Sequence, residues 1–126
     1  MEKSFLGTTD GGSLYIYGQD QLNDLISKNK DRRCLVTVSF LGEDRRKRIL
    51  AYYFKVILSS YKDAFRALGV IKTTNQIDSE LRLTSPLLED RNLDDLDVNE
   101  LIVYIDLVER KGLEDLSLVF QDPRVI

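Results

Sequence analysis

The longest stretch of regularly spaced apolar residues covers residues 43–68 and predicts a long central helix. Apolar residues recur there every three or four positions, the spacing of one helix face, and Gly69 follows as a residue that commonly ends a helix. At about 100° per residue, one side of this helix collects a predicted core face of Leu50, Phe54, Ile57, Tyr61, Phe65 and Leu68. We expect that face to be buried.

A second helix is predicted over "DVNELIVYIDLVERKG". Asp97 and Glu100 have the spacing of a capping box at its start, and Gly112 is expected to end it. Its apolar stripe consists of Val98, Leu101, Ile102, Ile105 and Val108. A shorter helix is predicted over "TTNQIDSELRL", with Asn75 and Asp78 as its capping pair, and "TSPLLEDRNLDDL" between the two is expected to be a loop.

The first 42 residues show β-type patterns on both sides of a short helix. "TTDGGS" predicts a hairpin turn before a strand at Ser13–Tyr17, and "QDQLNDLISKN" predicts a helix. "RRCLVTVSFLG" alternates, with Cys34, Val36, Val38 and Phe40 on one face, which predicts a second strand with a core thiol. We therefore expect one α+β domain, with a strand–helix–strand unit at 1–42 and a mainly helical part at 43–126. Its small sheet would pack with the long central helix and a second C-terminal helix.

The charge of the chain is unevenly distributed. Residues 1–72 contain thirteen Lys and Arg against eight Asp and Glu, whereas residues 73–126 contain five against thirteen. The net charges are therefore +5 and −8, and such an asymmetry indicates binding to nucleic acid or to a partner protein. The alternative is that the two halves attract each other, within one chain or between protomers.

Histidine is absent and Cys34 is the single cysteine of the 126 residues. Ser-His and Cys-His nucleophilic pairs, imidazole zinc sites and intramolecular disulfides are therefore excluded. We expect no catalytic residue, cofactor or metal, because Asp94, Asp95, Asp97 and Glu100 serve equally well as helix N-terminal acids. No apolar run reaches the ~20 residues of a membrane span and no signal peptide is recognisable, which favours a cytoplasmic protein.

Four consecutive cations, "RRKR", begin the central helix, where the positive end of the helix dipole disfavours them. Helix stability alone does not account for them, whereas attraction of phosphates does. On a helical wheel with 3.6 residues per turn, a stripe of cations about 27 Å long follows. It consists of Arg48, Lys55, Lys62 and Arg66 and is bordered by Tyr52. A row of cations beside an aromatic ring suits a single strand, although a solvated helix face is the simpler alternative. The candidate nucleic-acid-binding residues are Arg45, Arg46, Lys47, Arg48, Tyr52, Lys55, Lys62 and Arg66.

The order of these segments resembles the NinB-type recombination proteins of bacteriophages. The resemblance rests on the aromatic pair Tyr53-Phe54 within "RRKRILAYYFKVI", on "TTNQIDSELRL", on "NELIVYIDLVERKG", and on Asp122-Pro123 near the end. The chain departs from the family at Ile49-Leu50, where a Gln-Asn pair is usual, and at Phe54, which is often Trp. The resemblance implies an α+β homodimer without catalytic activity that binds single-stranded DNA. It would help to load a recombinase and would displace or cooperate with a host single-strand-binding protein, in recombination and DNA repair.

Two other functions are compatible with the residues. In the first, the protein is an interaction module whose acidic region at 89–100 docks a basic partner surface while the basic helix serves dimerisation. In the second, less favoured one, the acids between Asp94 and Glu100 hold a metal for nuclease chemistry.

Overall fold

A computed structural model describes residues 3–41 and 44–126 and confirms the α+β class. The chain forms two compact units. The first, the hairpin unit, comprises residues 4–40. The second, the helical unit, comprises Lys3, Leu41 and residues 44–126 in the described part of the chain.

The hairpin unit begins with two antiparallel strands, β1 (Gly7–Asp10) and β2 (Ser13–Ile16), in which Gly7 pairs with Ile16. Gly11 and Gly12 connect them with φ values of 56° and 81°. Two consecutive residues with positive φ match the twist of a tight hairpin, and glycine adopts this conformation without a steric penalty. Helix α1 (Gln19–Lys28) follows. The predicted hairpin turn, strand and first helix are confirmed.

The second predicted strand is wrong. Residues 32–41 contain no strand, and the side chains of Leu35 and Phe40 are 92% and 80% exposed. Cys34 is exposed as well, so the expected core thiol is also wrong. The alternating pattern gives this segment two distinct faces, but a strand also needs a neighbouring edge to bond with. The order in this unit is therefore strand–strand–helix.

The central helix of the helical unit runs without a break through three parts. These are α2 (Arg45–Tyr52), a π-helical turn (Tyr53–Ile57) and α3 (Leu58–Ala67). Gly69, at φ 81°, and Val70 donate backbone hydrogen bonds to the carbonyls of Arg66 and Phe65, both at 2.9 Å. This is a Schellman-type end, which confirms the predicted role of Gly69.

Two more helices complete this unit, α4 (Thr74–Leu83) and α5 (Val98–Leu116). Thr73 and Gln76 form the capping box of α4, which corrects the prediction of Asn75 and Asp78. The loop between the helices contains 3₁₀ turns at Pro86–Leu88 and Leu93–Asp95.

Asp97 and Glu100 cap α5 as predicted, but Gly112 does not end it. The helix continues one turn further to Ser117, which has φ 55°. A Cβ atom at Gly112 would lie 3.0 Å from the hydroxyl of Tyr61 and 3.1 Å from the ring of Phe120. Glycine is therefore placed here by close packing and not by the end of the helix.

The core forms where the central helix packs on α4 and α5. On the central helix its members are Ile49, Tyr52, Tyr53, Ile57, Leu58 and Tyr61. The predicted core face is therefore right for Ile57 and Tyr61 only, since Phe54 and Leu68 are 44% and 69% exposed and the other two are half-buried. The four predicted stripe residues of α5 from Leu101 to Val108 are buried, and Val98 is half-buried.

A hydrogen-bonded group crosses this core. The Tyr53 hydroxyl donates to Asp78 Oδ1 at 2.6 Å and lies 2.9 Å from the Tyr104 hydroxyl. Asp78 in turn accepts from Arg82, one helical turn later, at 3.0 Å. Burial raises the pKa of Tyr104 to about 12, so both phenols stay protonated and can act as donors. Each polar group is thereby satisfied inside the core, as burial requires.

Candidate nucleic-acid interface

The cations predicted to bind nucleic acid begin at the first turn of α2. Asp44 caps this helix, its Oδ1 accepting the backbone N–H of Lys47 at 3.3 Å. An anionic cap at the positive end of the helix dipole offsets part of the unfavourable interaction with the four cations that follow. The helix can therefore begin with basic residues.

The π-helical turn decides which cations face outward together. A π turn takes up about one residue more than an α turn, so positions beyond it lie about 100° back from their place on a uniform wheel. The buried residues fit this shift, because Ile49, Tyr53, Ile57 and Tyr61 follow one another at intervals of four. Lys47 then shares a side with the later cations, and Arg48 lies on a flank.

The side opposite the core carries four of the predicted residues, which we call the basic face: Lys47, Lys55, Lys62 and Arg66. Their alignment spans about 28 Å at 1.5 Å per residue. Lys47, Lys55 and Arg66 are exposed and Lys62 is half-buried. Among the described residues, none of the four pairs with a carboxylate. Asp63, the acid on this helix after its cap, pairs instead with Lys3 at 3.4 Å.

The cations that follow the central helix in the chain are mostly neutralised. Lys72 pairs with Glu80 at 2.8 Å, and Arg82 pairs with Asp78 at 2.9 Å. Pairs of Arg91 with Glu100, Lys111 with Asp115 and Arg124 with Asp106 follow along the chain. Arg110 is the exception within the described part of this region. The basic face therefore differs from the region after the central helix in its lack of carboxylate partners among the described residues.

Two of the predicted phosphate ligands have structural roles instead. The Arg46 guanidinium donates to the carbonyls of Leu96 and Leu93, both at 2.9 Å, and so joins α2 to the 3₁₀ turn before α5. Arg45 donates to the carbonyl of Arg124 at 3.0 Å. Arg48 is half-buried and has a contact of its own. The structure therefore does not bring these three residues together with the basic face.

Tyr52 was expected to be a stacking platform, and that prediction is wrong. Its side chain is 2% exposed, and its hydroxyl accepts the backbone N–H of Gln121 at 2.7 Å. Burial raises the pKa of the phenol well above its usual value. A ring in this position cannot receive a nucleobase. The uniform wheel placed Tyr52 beside the cations because it contained no π turn.

Phe54, which was predicted to lie in the core, is instead the exposed aromatic residue of the central helix. Its ring is 44% exposed and meets the buried Tyr53 ring edge to face, with 5.0 Å between centroids. It directly precedes Lys55 of the basic face. The four-residue repeat of Ile49, Tyr53, Ile57 and Tyr61 was the available signal, since a spacing above 3.6 residues indicates extra residues in the helix.

In the acidic region at 89–100, three of the six acids are occupied by local contacts. Glu100 accepts from Arg91 and from the backbone N–H of Asp97, and the Arg91 hydrogen bond in particular lowers the pKa of Glu100 to about 2. Asp95 and Asp97 cap the 3₁₀ turn and α5. These acids therefore act first as helix-capping and ion-pairing groups.

Comparison with known proteins gives no further information about this site. No family model, curated protein or solved structure matches the chain. The resemblance to NinB-type proteins therefore stays a prediction. Within the described residues, no helix has both the length and the apolar character that spanning a membrane requires.

Proposed function

We propose that the protein binds single-stranded DNA along the basic face and acts, without catalysis, as a recombination accessory protein. The observation that carries the proposal is the row of four outward cations, Lys47, Lys55, Lys62 and Arg66, that lack carboxylate partners among the described residues. Aligned cations follow a sugar-phosphate chain and supply sequence-independent affinity. Such a row spans several nucleotides.

Phe54 supports the choice of a single strand over a duplex. Unpaired bases expose their ring faces, and stacking of a base on an aromatic side chain stabilises the complex by about 1–3 kcal/mol. The half-exposed Phe54 ring lies beside the basic face, and its contact with the Tyr53 ring holds it in place. A duplex keeps its bases stacked and paired, so it gains nothing from this ring.

The wider biological role follows from the resemblance to the NinB-type family. From that resemblance we infer a homodimer that works in the cytoplasm with a host single-strand-binding protein or recombinase on phage DNA. The net charge of −3 opposes tight non-specific binding to DNA. We therefore expect modest affinity that depends strongly on salt.

A pair of charge-matched variants tests the proposal. Lys55→Gln with Lys62→Gln removes two cations of the basic face, and Arg110→Gln with Lys111→Gln removes two cations from α5. On single strands each phosphate contact contributes about −0.7 to the slope of log K against log salt. The first double variant should lose about 1.4 from that slope, whereas the second should bind like the wild type. Equal behaviour of the two variants would contradict the proposed site.

A further inference from the structure

The end of the chain lies across the helices as a strap, Leu118–Ile126. Phe120 stacks on Tyr61, with 6.2 Å between ring centroids. The Gln121 backbone bonds to the hydroxyl of Tyr52, and Pro123 is buried. Arg124 donates to Asp106 at 2.6 Å. The strap is therefore seated on α2, α3 and α5 by a small number of separate contacts.

Glu109 lies beneath this strap. One turn before it on α5, Asp106 contacts Arg124, and one turn after it Gly112 faces Phe120. Residues three apart share a helix face, so Glu109 points at the strap between these two contacts. Its Oε2 atom is buried and has no hydrogen-bond partner among the described residues. A carboxylate in this position is unfavourable because this oxygen is neither solvated nor paired.

The charged and titratable groups around Glu109 do not compensate for this. They come from every element packed against it, namely Asp106 on α5, Tyr52 on α2, Tyr61 on α3, and Asp122 and Arg124 on the strap. The cation Arg124 is already bonded to Asp106 and Asp122. Burial foremost, then the charges of Asp106 and Asp122, raise the pKa of Glu109 to about 8.

We propose that the strap is a proton-linked latch, seated over Glu109 while this carboxyl group is protonated and released when the group ionises. Opening exposes Glu109 to water and moves Asp122, which belongs to the strap, away from it. It also breaks the bonds of the strap to Tyr52 and Arg45, which belong to the helix that carries the basic face. The latch does not depend on the proposed binding of DNA.

The pKa values of Glu109 in the seated and open states determine how the opening of the strap depends on pH. In the open state Glu109 has its ordinary pKa of 4.5, and in the seated state its pKa is about 8. The equilibrium constant for opening therefore rises by up to about tenfold per pH unit between these values and levels off above the higher one. The strap is most firmly seated in mildly acidic solution.

Amide hydrogen exchange of Gln121, followed by NMR from pH 5.5 to 9, tests this latch. After correction for the intrinsic exchange rate, the protection of Gln121 in the wild type should fall as the pH rises to about 8 and then level off. Glu109→Gln should remove this dependence, because its side chain is neutral at every pH. Glu114→Gln, which removes an exposed carboxylate of the same helix, should behave like the wild type.

Three results would overturn the inference. The first is protection of Gln121 that does not change with pH in the wild type. The second is an unchanged pH dependence in Glu109→Gln. The third is protection of Gln121 equal to that of Ile105 in the core, which would mean that the strap opens only on global unfolding. If Glu109→Gln fails to fold, the carboxyl ¹³C resonance of Glu109 in the wild type decides, with a midpoint near 8 expected and one near 4.5 contradicting the latch.

Discussion

Single residues at the start of the central helix have opposite roles although they are chemically alike. Arg46 is half-buried and donates to two carbonyls of the Leu93–Leu96 segment, whereas Lys47, its neighbour, is exposed and has no carboxylate partner among the described residues. The sequence indicated that the "RRKR" cluster was unusual at a helix start. It could not separate the two roles, because the carbonyls that Arg46 reaches lie about 50 residues away in the chain.

Replacement of these two neighbours should therefore have different effects on stability. Arg46→Gln leaves the carbonyls of Leu93 and Leu96 without their charged donor, and we expect the free energy of unfolding to fall by about 2 kcal/mol. Lys47→Gln changes an exposed site and should stay within about 0.5 kcal/mol of the wild type. Urea unfolding followed by circular dichroism measures both. A larger loss for Lys47→Gln than for Arg46→Gln would refute the structural role of Arg46.

The aromatic residues 52–54 are likewise neighbours of similar chemistry whose different roles the sequence did not distinguish. Their closeness to the cations could be predicted from the sequence, but which ring is exposed depends on the local winding of the helix. Tyr52 bonds to the strap, Tyr53 joins the core network, and Phe54 points outward. The sequence therefore placed aromatic rings near the cations but gave the wrong ring as the exposed one.

At the scale of elements, the helices were predictable and the π turn was not. Apolar spacing indicated the central helix and α5, and Gly69 and Asp97 marked one end of each correctly. A uniform wheel assumes 3.6 residues per turn throughout, so the extra residue in Tyr53–Ile57 rotated every later position on it. The predicted core face and the predicted stripe of Arg48, Lys55, Lys62 and Arg66 were both misassigned for this reason.

The extra residue of the π turn can be tested by deletion. Removing Lys55 should convert the turn to α-helix and leave Ile57, Leu58 and Tyr61 in their places against the core, since the turn amounts to one inserted residue. Removing Ser60 from α3 should instead rotate Tyr61 out of the core by about 100°. We expect cooperative urea unfolding to survive deletion of Lys55 and to be lost on deletion of Ser60. Equal damage from the two deletions would refute the proposed shift.

The strand predicted over "RRCLVTVSFLG", which the described residues 32–41 do not form, shows what an alternating pattern leaves undetermined. Alternation indicates two faces, but not whether a sheet edge is present to receive the strand. No side chain of the hairpin unit is fully buried among its described residues. With about 40 residues and no disulfide, such a unit has little core of its own. Tertiary context therefore decides the structure of this segment.

For the whole molecule, the helical unit shows how the unevenly distributed charges of the sequence are used. Most acids after residue 73 are used in caps and ion pairs close to where they occur, such as Glu100 with Arg91 and Asp115 with Lys111. Within the described residues they do not reach the basic face. Local use of the acids therefore leaves the four cations of the basic face available to an external anion.

The stability of the whole molecule should depend on pH in two windows. The folded pKa of Glu109 is about 8, so its unfavourable contribution grows as the pH rises from 4.5 and is complete above about 8. Glu100 has a folded pKa of about 2, so its stabilising contribution is present above pH 4.5 and is lost as the pH falls toward 2. From these two groups, the melting temperature is highest near pH 4.5–5.

Glu109→Gln should accordingly raise the melting temperature at pH 8 and leave it nearly unchanged at pH 4.5. Because Glu109 is only partly buried, we expect a gain of about 1–2 kcal/mol at pH 8, or about 4–8 °C for a domain of this size. Glu114→Gln serves as the control for the removed charge. An increase at pH 4.5 as large as that at pH 8 would contradict the assigned shift.

The central claim is that the four outward cations of the central helix hold a single DNA strand. Fluorescence anisotropy of a labelled single-stranded oligonucleotide, titrated with the wild-type protein over a series of salt concentrations, tests it most directly. With four phosphate contacts the slope of log K against log salt should be about −2.8, and a duplex of the same length should bind more weakly. Absence of binding at low salt, or affinity independent of salt, would contradict the account.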